Sequence, residues 1–140
     1  MKYKKGSQGA KSVKLECLHD GSVDCPLIRL YGFTIAEAEQ FLYIINQLSA
    51  GNNYRVEIHN LPWVEVIGNC HLTLFVQNWD QSVVRKKGQD ENNFECGFTT
   101  QTWCNIEGLV EPFAKGRGGF QWLAGIPGEA AILLSCDGGW

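Results

Sequence analysis

The stretch Gly32-Phe33-Thr34-Ile35-Ala36-Glu37-Ala38-Glu39-Gln40-Phe41-Leu42-Tyr43-Ile44-Ile45-Asn46-Gln47-Leu48-Ser49-Ala50-Gly51 decides the fold class. Thr34 and Glu37 have the spacing of a capping box. The hydroxyl accepts a backbone N–H of the first turn, and the carboxylate reaches back to the cap N–H. Gly51 stands where a left-handed residue ends a helix. Between them Ile35, Ala38, Phe41, Leu42, Ile45 and Leu48 recur at three- and four-residue steps, with Ile44 at the edge of the stripe. Glu39, Gln40, Asn46 and Gln47 fall on the opposite side. Burying Phe41, Leu42, Ile45 and Leu48 contributes about 6–12 kcal/mol. That matches a typical net stability of about 5–15 kcal/mol, so the stripe faces a core.

Outward from this helix the chain reads as short strands. Residues 12–18 and 26–31 precede it, and 54–59, 63–67, 71–79 and 82–86 follow. Leu72, Leu74 and Val76 mark one face of the 71–79 segment, and 82–86 reads as its hairpin partner. Phe94, Cys96 and Phe98 alternate in a further strand. A second helix is predicted over about 100–114, with an apolar stripe of Trp103, Ile106, Leu109, Val110 and Phe113, and with Pro112 helping to close it. Segments 120–123 and 131–135 end the chain as a pair of strands. Short turns between neighbouring strands imply antiparallel pairing. The expectation is an α+β domain: a twisted, mainly antiparallel sheet with two helices packed on it. Gly32-Phe33-Thr34 recurs as Gly97-Phe98-Thr99 at an offset of 65, each before a helix, which suggests two similar β-α-β halves.

The chain has 140 residues, 44% hydrophobic and 19% charged, which fits one globular domain over 12–140 behind a flexible basic leader at 1–11. Net charge is −3 overall, yet Lys2, Lys4, Lys5, Lys11 and Lys14 stand in the first fourteen residues. The body is therefore acidic, which argues against a nucleic-acid partner. No apolar run is long enough to span a membrane, and no apolar signal segment follows the N-terminal lysines. A cytoplasmic location is expected, with the six cysteines as reduced thiols.

The motifs of catalysis are missing. His19, His59 and His71 lack metal-ligand spacing with the cysteines, and there is no C-x-x-C, H-E-x-x-H or G-x-S-x-G. In Asp24-Cys25-Pro26 the carboxylate opposes formation of a thiolate. Cys104, on the polar side of the second helix, and the basic loop Lys115-Gly116-Arg117-Gly118-Gly119 are the markers of a rival reading. In that reading a small enzyme or ligand binder holds its site between helices and sheet. Asp90-Glu91 and Glu107/Glu111 are spaced as solvated surface. No catalytic residue, metal or cofactor is expected. The strongest pointer is a row of aromatics: with Leu72, Leu74 and Val76 inward, His71, Phe75 and Trp79 share the other face, with Trp63 and Trp140 as candidate neighbours. Large aromatics on a polar strand face mark contact surfaces. The reading is a non-catalytic module that binds another protein or itself as a homo-oligomer, through His71, Phe75 and Trp79.

Overall fold

The computed structural model describes residues 13–18, 27–52, 54–85, 92–124 and 130–136. The leader at 1–11, His19, the Asp24-Cys25-Pro26 turn, the acidic pair Asp90-Glu91 and Trp140 lie outside the described residues. Nine strands and two helices are present in the described part. They are β1 (Val13–Leu18), β2 (Leu27–Tyr31), α1 (Ile35–Ser49), β3 (Arg55–Glu57), β4 (Val64–Ile67), β5 (His71–Val76), β6 (Ser82–Arg85), β7 (Asn93–Phe98), α2 (Thr100–Ala114), β8 (Phe120–Ala124) and β9 (Ala131–Ser135). A 3₁₀ turn at Ile58–Asn60 links β3 to β4.

Both helices start where their caps require. Thr34 and Glu37 close the capping box of α1: Thr34 Oγ1 accepts the Glu37 N–H at 3.4 Å, and the Glu37 carboxylate accepts the Thr34 N–H at 3.0 Å. Gly51, at φ 74°, takes the left-handed position past its end. At α2 the Thr99 hydroxyl accepts the Thr102 N–H at 3.3 Å. The carboxylate comes from outside the helix. Asp80, in the loop after β5, accepts the Thr99 N–H at 2.9 Å and the Thr102 hydroxyl at 2.8 Å. The Thr99 N–H, and after it the Thr102 hydroxyl, hold the Asp80 carboxyl below the usual carboxylate value.

The α+β class holds, but the pairing differs from the expected mainly antiparallel sheet. There are two mixed sheets: sheet A in the order β4-β1-β2-β9-β8, and sheet B in the order β3-β5-β7-β6. The pairs β1/β2, β3/β5, β6/β7 and β8/β9 are antiparallel, while β1/β4, β2/β9 and β5/β7 are parallel. Strands adjacent in sequence are not all partners. Gly68-Asn69, both at positive φ, turn the chain from β4 in sheet A to β5 in sheet B. Segment 82–86 pairs with β7 and not with 71–79. The 71–79 segment ends as a strand at Val76.

The two helices lie antiparallel, with the start of α1 beside the end of α2. A Cβ on Gly116 would come within 3.4 Å of Ile35, and one on Gly51 within 4.0 Å of Thr100. Asn46 and Ser49 donate to the two oxygens of Glu107 at 2.9 and 3.0 Å. One core joins these helices to the inner faces of both sheets. Its members include Leu15, Ile28, Leu30, Ile132 and Leu134 from sheet A, Leu72, Leu74, Phe94 and Cys96 from sheet B, and Phe41, Ile45, Trp103 and Ile106 from the helices. The buried stripe of α1 is Ala38, Phe41, Ile44, Ile45 and Leu48. Ile44 is thus inside and Ile35 is 55% exposed, because the first turn of α1 projects past the core beside Gly116. Leu109 likewise lies at the surface of α2.

The Gly-Phe-Thr echo has a structural counterpart. An antiparallel hairpin, a helix and a second antiparallel pair make up each half: β1-β2-α1-β3-β5 and β6-β7-α2-β8-β9. The helices span equivalent residues at the offset of 65. Within each sheet the first hairpin of one half pairs in parallel with the last strand of the other, β2 with β9 and β7 with β5. Inner residues correspond across the junctions: Ile28/Ile132 and Leu30/Leu134 in sheet A, Phe94/Leu72 and Cys96/Leu74 in sheet B. Ile28 and Phe94 are 66 apart, so the first half holds one more residue between strand and helix. Gly32, at φ 88°, lies in that connection. Strand β4 has no equivalent in the second half among the described residues.

Six reduced thiols are not what the structure has. Cys17, at the end of β1, is bonded to Cys70, at the entry to β5, with Cα atoms 5.6 Å apart. Strand alternation does not reveal this pair, because the two residues come from different sheets. Among the described residues Cys96 is buried, Cys104 exposed and Cys136 half-buried, all three unbonded. The bond closes a loop of sequence separation 53, and loop-closure entropy makes such a link worth about 2–4 kcal/mol. Reduction by dithiothreitol should therefore lower the urea-unfolding free energy by about that amount. The Cys17→Ser, Cys70→Ser double variant should ignore the reductant. Equal unfolding midpoints with and without reductant would contradict the linkage.

Candidate functional site

The residues picked from sequence lie on or beside sheet B. His71 and Phe75 occupy the outer face of β5, opposite Leu72 and Leu74, about 13 Å apart along the strand. Each already has a partner within the fold. The His71 ring stacks on His59, with centroids 4.4 Å apart. Phe75 lies across Gly97, its cross-strand neighbour: a Cβ there would meet the ring at 2.4 Å. That is why glycine occupies the centre of this sheet. Trp79 stands past the end of β5, 58% exposed, one residue before the Asp80 cap of α2. Trp63 is buried beside Phe33, with centroids 6.3 Å apart. The structure brings His71 and Phe75 onto one face and leaves Trp79 on the adjoining loop.

His59 serves the fold through one nitrogen. The 3₁₀ turn ends β3 early, and His59 Nδ1 accepts the Leu72 N–H at 3.1 Å in place of a strand carbonyl. The same nitrogen lies 3.3 Å from the Leu72 carbonyl, and accepting the Leu72 N–H takes the neutral form. Burial, and then the adjacent His71, hold the His59 imidazole below its ordinary value. Between that lowered value and the unfolded value of about 6.5, the unfolded chain takes a proton that the native chain refuses. This contribution to stability is complete above about pH 6.5 and falls as the pH drops towards the native value. His59→Asn, whose side-chain oxygen can accept the same N–H, should flatten that fall in urea titrations between about pH 7.5 and 5.5. Identical slopes in the two proteins would rule the assignment out.

The outer face of sheet A carries more free aromatic surface. Register places Lys14, Tyr31, Ser135 and Phe120 in one row, and Glu16, Arg29, Leu133 and Trp122 in the next. Arg29 donates to Glu16 at 2.6 Å and stacks over Tyr31 at 4.3 Å. Burial first, then the Glu16 carboxylate, push the Tyr31 hydroxyl up from its usual value. Lys14 and Glu65 make a looser exposed pair at 3.9 Å. Leu133 and Ser135, in the middle of the rows, are fully buried. Phe120 and Trp122 on β8 are 49% and 44% exposed.

Among the described residues β8 is also an edge strand, and its backbone pattern shows which groups face outward. Cys136 N–H donates to Gly119 O at 2.9 Å, flanking the Phe120/Ser135 pair. In an antiparallel ladder such flanking bonds mark a pair that exchanges none of its own. Phe120 and Trp122 therefore aim their N–H and C=O groups away from β9, towards the open edge, while Gln121 bonds Leu134. The Trp122 carbonyl accepts only the Gln121 side chain there among the described residues, at 3.0 Å. Other edges are blunted. β3 has three residues and carries an Arg55–Glu57 ion pair at 3.6 Å, β4 carries Glu65, and β6 has four residues. β8, with the sequence Phe-Gln-Trp-Leu-Ala, has no charge. An uncharged edge with exposed aromatics offers its unpaired backbone groups to another strand. Sequence reading found 120–123 as a strand but not its place at an edge. Its lack of any charge was the available signal.

The space between helices and sheets is closely filled. A void of about 10 Å³ lies among Leu30, Phe41, Leu72, Trp103 and Ile132, room for about one water. A shallow recess of about 40 Å³ lies where Phe33, Ile35, Phe113, Gly116, Arg117 and Cys136 meet, and here the 115–119 loop contributes two residues. Cys104 is exposed on the surface of α2 and lines neither space. Among the described residues no three His, Cys, Asp or Glu side chains gather as metal ligands would. No helix among them is long and apolar enough to cross a membrane. No protein-family model matches the chain, and neither does any curated protein or solved structure.

Proposed function

We propose that this chain is a non-catalytic binding module that engages another protein, or its own copy, through the edge strand β8 and the adjoining outer face of sheet A. The observation that carries the reading is β8 itself. It is an uncharged edge strand with Phe120 and Trp122 about half exposed, in the same rows as Tyr31 and Arg29 across β9. Tryptophan, tyrosine and arginine are the residues that dominate binding energy in protein interfaces. His71, Phe75 and Trp79 form a lesser patch in this reading. Trp79 is its exposed member, whereas Phe75 is committed to covering Gly97. The Cys17–Cys70 bond weighs towards an oxidising place of action.

Native mass spectrometry on protein isolated gently from its source tests the module reading. The expected result is a mass at an integer multiple of the chain, or chain plus a second polypeptide, with Phe120 and Trp122 protected from hydroxyl-radical oxidation in the complex. A monomer carrying a small molecule or metal ion would overturn it in favour of a ligand-binding or enzymatic role. A bare monomer would count against it as well.

A further inference from the structure

We propose that β8 pairs antiparallel with β8 of a second copy about a two-fold axis at Gln121, joining two five-stranded sheets into one. This inference rests on the binding-module reading and names its partner. The outward-facing groups of β8 belong to Phe120 and Trp122, two residues apart. An antiparallel copy centred on Gln121 sets Phe120 of one chain opposite Trp122 of the other, twice. All four outward N–H and C=O groups of each strand are then used, as in a bonded antiparallel pair. The backbone N–H of the second copy takes the place of the Gln121 side chain on the Trp122 carbonyl. On the outer face the same register makes two Phe–Trp cross-strand contacts, a stabilising combination.

Charge selects a second copy as the occupant. The chain carries a net charge of −3, which opposes self-association in general. The outer face of sheet A escapes this. Among the described residues Lys14 pairs with Glu65 and Arg29 with Glu16, so their charges on that face cancel, and β8 adds none. Two copies thus meet there without like charges. The equivalent edge in the other half is charged: Arg55 and Glu57 of β3 stand at the positions of Phe120 and Trp122, offset by 65. The register shift between Trp122 and Ala124 limits the β8 pairing to three residues a side. The dimer is therefore of the weak, concentration-dependent class.

The test is sedimentation velocity on the full chain from about 10 μM to about 1 mM, a range that brackets weak association. A concentration-dependent dimer is expected. The Phe120→Glu, Trp122→Glu variant sets like charges opposite each other twice across the two-fold axis, and should weaken the dimer at least about tenfold with the unfolding midpoint kept. If that variant fails to fold, Trp122→Pro removes an outward N–H together with the indole, needs no N–H that β9 uses, and should weaken the dimer likewise. Gln121→Cys in a Cys104→Ser background should oxidise to a covalent dimer, because Gln121 faces its own copy. A dimer untouched by the β8 variants would overturn the inference, and so would a monomer at every concentration. A monomer here together with a native complex containing a different polypeptide would sink the self-pairing and keep the module reading. A monomer in both experiments would remove both.

Discussion

The parallel pairings β2/β9 and β5/β7 are the constraint on which the rest depends. Each helix leaves one sheet and delivers its chain to the other: α1 runs from β2 to β3, and α2 from β7 to β8. Neither half has a sheet of its own. Sheet A is completed by β8 and β9 from the second half, and sheet B by β3 and β5 from the first. The core contains inner residues of both sheets and stripes from both helices, so it cannot be divided between the halves. Trp103 shows the coupling within one residue. Its ring is 2% exposed in that core, and its Nε1–H donates to the carbonyl of Phe75 in β5 at 2.9 Å.

Two copies of one architecture in one chain supply an internal comparison. Inner positions stay apolar in both halves, as with Leu30 and Cys96 or Leu134 and Leu74. Outer positions have diverged. Where sheet A has Arg29 and Tyr31, sheet B has Glu95 and Gly97 at the corresponding junction positions. Where β3 presents Arg55 and Glu57, β8 presents Phe120 and Trp122. The fold accepts a charged edge at one site and an aromatic edge at the other. Packing of the core therefore does not account for the aromatics on β8.

Much of this was legible in the sequence because local physics determines it. Thr34 with Glu37, Gly51 and the three-four spacing of Phe41, Ile45 and Leu48 specify α1. Alternation finds every strand to within a few residues. Local pairing was legible in part, since 120–123 and 131–135 do form an antiparallel pair; long-range pairing was not. Besides β1, β2 pairs with β9, about a hundred residues away, and nothing in either strand names the other. The Cys17–Cys70 bond depends on the same long-range arrangement. The candidate surface was missed for a related reason: Phe120 and Trp122 matter because β8 ends up at an edge. His71 and Phe75 were placed on the correct face, but the His59 and Gly97 contacts that engage them come from other strands.

Native-state hydrogen exchange across the two parallel junctions tests the central claim most directly, namely that the halves are one cooperative unit. The account predicts that the slowest amides of β2 and β9 and those of β5 and β7 exchange only through global unfolding, with the same free energy and the same dependence on denaturant. One junction opening at a clearly lower free energy, while the other stays protected, would contradict it.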